Sequence, residues 1–119
     1  MANAFDPGDF LLYQLESGFG LLRILAIEGE DAGRIWHIAV YRELFPDVES
    51  AEQASTAPSS LHIDRPHLAL TERAFDRTPT AKLGNLPLAE DDLNGYRDWM
   101  ATEDRHIFDR SLLLLLGMR

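Results

Sequence analysis

Apolar residues along the first forty positions alternate in short runs separated by turn chemistry, and this pattern predicts strands before it predicts anything else. Asp6-Pro7-Gly8-Asp9 is a turn, since Pro fixes φ and Gly relaxes it. Phe10 to Leu15 follows with Leu11, Tyr13 and Leu15 on one face and Phe10, Leu12 and Gln14 on the other. Glu16-Ser17-Gly18 reads as a tight hairpin connection. Phe19 to Ile27 is apolar on both faces except for Arg23, as expected of a central strand, and Gly20 within it suggests a bulge or a close backbone approach. The polar turn Glu28 to Arg34 leads to Ile35–Arg42, where Trp36, Ile38 and Val40 share one face and Ile35, His37, Ala39 and Tyr41 the other. Three strands joined by short turns make an antiparallel meander.

Beyond it the period weakens. Residues 43–66 read as an irregular surface loop, with mobility as one reading of it, and one helical turn near Ser50 to Ala54. Structure resumes at His67 to Ala74, and Ala81 to Pro87 is a short strand broken by Gly84 and kept off the sheet centre by Pro87. Leu88 and Leu93 flank Ala89 as a hydrophobic staple, and Glu90, Asp91 and Asp92 suit the first turn of a helix. Leu93, Tyr96, Trp99 and Met100 form its apolar stripe, which predicts an amphipathic helix near residues 89–102. Leu112 to Leu116 before Gly117 favours a C-terminal helix, with a buried strand as the alternative. The expected class is therefore α+β, a three-stranded meander extended to a strongly bent sheet or partial small barrel, in a single domain spanning 1–119.

Charge narrows the function classes. The net charge of −9 is uneven: residues 1–60 hold ten acidic and three basic side chains, residues 61–119 ten and eight. Such a field repels phosphate backbones, so no nucleic acid is expected, and a basic protein partner is favoured. The absence of cysteine excludes disulfides, thiolate metal sites and thiol nucleophiles. No apolar run approaches the ~18 residues of a membrane span, and Met1-Ala-Asn-Ala-Phe-Asp-Pro7 lacks a signal pattern, so the expectation is a cytoplasmic chain that avoids membranes.

Candidate chemistry is sparse. His62, Asp64 and His67 fall within six residues and are weak metal candidates, but Pro66 opposes a helical ligand set and a polar turn is the simpler account. Gly18 and Gly20 lack the surroundings of a nucleophile elbow or a dinucleotide fingerprint. No catalytic residue and no cofactor are assigned. Arg23 among apolar neighbours calls for a carboxylate partner or a snorkelling stem. Glu28, Glu30 and Asp31 at the second turn, with Asp47, Glu49 and Glu52 beyond the third strand, are candidates for one acidic edge near Trp36 and Tyr41.

The opening stretch from Pro7 to Leu25, with its Pro-Gly-Asp turn, strand, Gly-x-Gly hairpin and second strand running into Arg23, resembles certain bacterial immunity proteins of polymorphic-toxin systems. Lys82-Leu-Gly-Asn-Leu-Pro87 resembles their hydrophobic-Gly-x-x-Pro piece. The resemblance covers about a third of the chain and implies a bent sheet or partial barrel with appended helix. It also implies a non-catalytic protein that binds and neutralises a toxin; the resemblance carries no functional residue. A small-ligand-binding or accessory domain using the interior of the sheet, and a metal-dependent enzyme built on His62, Asp64 and His67, are the alternatives.

Overall fold

Alternation does set the two faces of a sheet. The computed structural model describes residues 5–118. Strands β1 (Asp9–Leu15), β2 (Gly18–Glu28) and β3 (Ile35–Phe45) form the expected meander. Then come helix α1 (Val48–Ser55), strand β4 (Ile63–Thr71), helix α2 (Glu72–Asp76), strand β5 (Thr80–Asn85), helix α3 (Asn94–Ala101) and helix α4 (Leu112–Leu116). All neighbours in the sheet are antiparallel, in the order β4-β3-β2-β1-β5. β4 and β5 are edges, so the sheet stays open and does not close into the partial barrel that was one expectation.

Leu11, Tyr13 and Leu15 from β1, Leu22 and Ile24 from β2, and Trp36, Ile38 and Val40 from β3 make the larger core on the first face. α2 supplies Ala74 and Phe75, α4 supplies Leu112, and Trp36 stacks on Phe75 at 4.2 Å between ring centroids. Phe10, Leu12, Leu21 and Tyr41 form the smaller core of the second face, with Ala51 of α1. Gly20 serves both roles anticipated for it. The β2–β3 register shifts between Gly20 and Leu22, and the Tyr13 ring lies where a Cβ on Gly20 would stand.

Several boundaries differ from the sequence reading, each for a physical reason. Residues 43–66 are largely regular: β3 runs to Phe45, α1 has eight residues, and β4 begins at Ile63. Asp47 caps α1 by accepting the Ser50 N–H at 2.8 Å. Only Ala51 and Ser55 of α1 are buried, so its inward stripe is made of small residues that hydropathy does not mark. Pro66 is accommodated because β4 is an edge strand and its pairing with β3 is irregular there. The helix expected over 89–102 begins with a 3-10 turn at Glu90–Leu93, and its α-helical part is α3. The C-terminal alternative resolves as a helix that ends on Gly117 in the left-handed conformation, φ 67°.

The C-terminal end of β4 is not a free edge. Phe108 pairs with it in parallel, donating to the Ala69 carbonyl at 2.8 Å and accepting from the Thr71 N–H at 3.0 Å. Thr71 and Arg73 both bind the Asp109 carboxylate and so hold this strap in place. No helix among the described residues is long and apolar enough to cross a membrane.

Candidate functional site

The second face of the sheet is only partly covered, and its chemistry gathers in the gap between α1 and α3. Arg23 points onto this face from β2, as its parity with Leu21 requires. Its side chain is 4% exposed, so the charge demands compensation. Asp92, from the 3-10 turn before α3, meets Nη1 at 3.2 Å. Nη2 donates to the carbonyls of Leu86 at 2.8 Å and Pro87 at 3.2 Å. The guanidinium lies 4.6 Å from the Phe10 ring centroid. Asp92 also accepts the Ala89 N–H at 2.8 Å, so one carboxylate both caps the turn and neutralises the strand. The ion pair anticipated for Arg23 is present, whereas its Nε–H is buried and has no partner among the described residues.

Beneath α3 lies a second constellation. His37 is fully buried, with its Nε2 2.6 Å from Glu28 Oε1 and its Nδ1 2.9 Å from His67 Nε2. Tyr96 donates its hydroxyl to the same Glu28 oxygen at 3.2 Å, and Trp99 stands edge-on to the His37 ring. Burial lowers the His37 pKa below the usual value, with Glu28 opposing that shift, so the ring is neutral at neutral pH. The carboxylate must accept, which places the His37 proton on Nε2 and leaves Nδ1 as an acceptor; His67 Nε2–H is then the donor. Burial and the neighbouring His37 bring the His67 pKa down to about 4.

The proposed metal trio does not assemble. His62 is 69% exposed and pairs with Glu43 at 2.6 Å, Asp64 is exposed on β4, and His67 turns inward to His37. No group of three or more His, Asp or Glu that could hold a metal exists among the described residues.

The acidic edge divides in two. β3 separates the two groups of carboxylates by its own length, about 33 Å for eleven extended residues. Glu28, Glu30 and Asp31 stand at its start, near Arg34, which pairs with Glu72 at 3.0 Å, and near Arg73 of α2. Asp47 and Glu49 stand at its far end with Glu43 and Glu52, beside the β1–β2 turn that carries Glu16. Trp36, put forward as an aromatic anchor, is completely buried against Phe75, with its Nε1–H on Glu72 at 3.3 Å. Tyr41 is also buried, at the floor of the gap beside Arg23.

Two features escaped the sequence reading. Leu44, near the end of β3, is 45% exposed and Val48, at the start of α1, is 41% exposed, and the far-end carboxylates flank both in sequence. Their signal was present as two apolar residues set among Glu43, Pro46, Asp47 and Glu49. The Glu28–His37–His67 chain was half legible, because strand parity put His37 on the same face as Ala39 and Tyr41. No protein-family model, curated protein or solved structure matches the chain.

Proposed function

We propose that this chain is a non-catalytic protein-binding module of the immunity type, which engages a basic partner through the end of the sheet formed by β3 and α1. The observation that carries the reading is the composition of that end. Leu44 and Val48 are exposed apolar side chains, and Glu43, Asp47, Glu49 and Glu52 surround them in sequence. No lysine or arginine occurs between Arg42 and Arg65 to offset those charges. An apolar centre with a charged rim is the usual anatomy of a non-obligate interface, and a field of one sign accelerates encounter with an oppositely charged partner. The opposite end of the sheet, where Arg34 and Arg73 mix with the acids, offers no such field. The likeness of the opening segment to immunity proteins supports a toxin as the partner class.

Affinity capture with the tagged chain tests this, run at low salt and then eluted with high salt. Three baits are compared: the wild type, Glu49→Lys/Glu52→Lys, and Glu30→Lys/Asp31→Lys. A basic protein retained stoichiometrically by the wild type and by the Glu30/Asp31 variant, but not by the Glu49/Glu52 variant, supports the proposal. Equal retention by all three baits, or none by the wild type, overturns it.

A further inference from the structure

Helix α3 lies on the second face of the sheet, yet none of its residues is buried and neither hydrophobic core draws a residue from it. Its two aromatic side chains rest on imidazoles. Tyr96 stands 4.5 Å and Trp99 4.8 Å from the His37 ring centroid, and Trp99 stands 5.4 Å from that of His67. Gly95 permits the approach, since a Cβ there would come within 2.8 Å of the Pro66 carbonyl oxygen and 3.1 Å of the His67 Cβ. Among the described residues, one side-chain bond of α3 crosses to the sheet, from Tyr96 to Glu28 at 3.2 Å. The others stay within the segment, joining Arg97 to Glu90 and the Trp99 Nε1–H to the His106 carbonyl. The segment is pinned at its ends instead, by Asp92 on Arg23 and by Phe108 on β4. Between those pins, residues 93–107 form a flap whose middle rests on the two histidines.

That middle suits neutral rings. Glu28, at the end of β2, is the carboxylate that faces the pair, and one of its oxygens already serves both His37 and Tyr96. β3 carries no other charge between Ile35 and Tyr41. Asp64 and Arg65 of β4 and Arg97 and Asp98 of α3 are exposed, and Arg105 lies on the Trp99 ring, 6.0 Å from its centroid. A proton added to His37 Nδ1 is set against the His67 Nε2–H at 2.9 Å, and one added to His67 places an imidazolium under Tyr96 and Trp99. Burial accordingly holds both imidazoles below their ordinary value, His67 at about 4. Once the flap lifts, water reaches both rings and they take up protons near the ordinary value of about 6.5. The open form then binds more protons than the closed one and gains on it as the pH falls. His67 alone raises the ratio of open to closed about 5- to 30-fold between pH 7.5 and 5, the lower figure allowing for its half-buried ring.

We propose that residues 93–107 are an acid-released flap, shut over the His37–His67 pair at neutral pH and lifted from the sheet at about pH 5 while both hydrophobic cores stay packed. His37 stands toward the start of β3, away from the β3–α1 end, so the flap stands or falls independently of the protein-binding reading.

The test is fluorine NMR of the full chain carrying 5-fluorotryptophan, with one resonance for Trp99 in the flap and one for Trp36 in the first-face core, assigned with Trp99→Phe. Exposure is read from the shift of each resonance between H2O and D2O, which separates opening from a mere change in a neighbour's charge. From pH 7.5 to 5 the isotope shift of Trp99 should rise toward that of the urea-unfolded chain, with the ratio of open to closed growing at least about fivefold, and that of Trp36 should stay near zero. His67→Gln, which takes up no proton, should lose more than half of the rise. Tyr96→Phe drops the bond to Glu28 from a side chain that is not buried, so it folds; it should move the midpoint of opening up by at least about 0.3 pH units, the equivalent of a twofold change in the ratio. An unchanged Trp99 isotope shift, a simultaneous change at Trp36, a pH response intact in a folded His67→Gln, or a midpoint unmoved by Tyr96→Phe overturns the proposal.

Discussion

Lowering the pH from 7.5 to 4.5 should destabilise this protein through His67. In the unfolded chain the imidazole takes up its proton near the ordinary value of 6.5, whereas in the fold its pKa is about 4. Between those values the unfolded state binds more protons than the folded state, so stability present above pH 6.5 is lost progressively as the pH falls to about 4. A shift of this size, at about 1.36 kcal/mol per unit, sets an upper bound of roughly 3.4 kcal/mol. His67 is only half-buried, and water reaching the imidazolium reduces that to about 1–2.5 kcal/mol. His37, also lowered by burial, acts in the same direction. The assay is urea unfolding at half-unit pH steps, in the wild type and in His67→Gln, whose amide can still donate to His37 Nδ1. The wild type should lose about 1–2.5 kcal/mol between pH 7 and 4.5, and the variant less than half of that. A stability that is flat over this window, or a slope unchanged in His67→Gln, refutes the buried neutral histidine pair.

Two further outcomes follow from packing and charge. Gly20→Ala places a methyl in the Tyr13 ring and should cost about 1–3 kcal/mol in urea unfolding, while Gly33→Ala, where a Cβ meets nothing within 4 Å, should cost far less; equal losses would discount the Tyr13 contact. Asp92→Asn leaves the Arg23 guanidinium without its counter-charge and should cost about 1–2 kcal/mol. That is below the 3–5 of a fully buried pair because Asp92 is 36% exposed, and the adjacent Asp91→Asn should stay within about 0.5; similar effects at both positions would contradict the ion pair.

The faces of β2 and β3 were legible because a period of two needs no long-range information. Leu22 and Ile24 with Trp36, Ile38 and Val40 fall on one side, and Arg23 with His37, Ala39 and Tyr41 on the other, as the alternation requires. That Arg23 needs a carboxylate was legible too, but not which one, since Asp92 lies 69 residues away and arrives only when the turn before α3 docks. The same holds for His67 against His37, brought together by the pairing of β3 with β4. α1 was underestimated because its buried positions are Ala51 and Ser55, and the start of β4 because its exposed residues and Pro66 resemble a loop. The single acidic edge was a misplacement the sequence itself could have prevented. Its carboxylates flank a strand, and a strand carries its two ends apart.

The most direct test of the central claim is the salt dependence of affinity for the captured basic partner, measured by calorimetry with the wild type and with Glu49→Lys/Glu52→Lys. Binding through the β3–α1 end predicts an affinity that falls steeply as salt rises, and a variant that binds at least about tenfold weaker at low salt with a shallower salt dependence. An affinity indifferent to salt, or a variant that binds as tightly as the wild type, would contradict it.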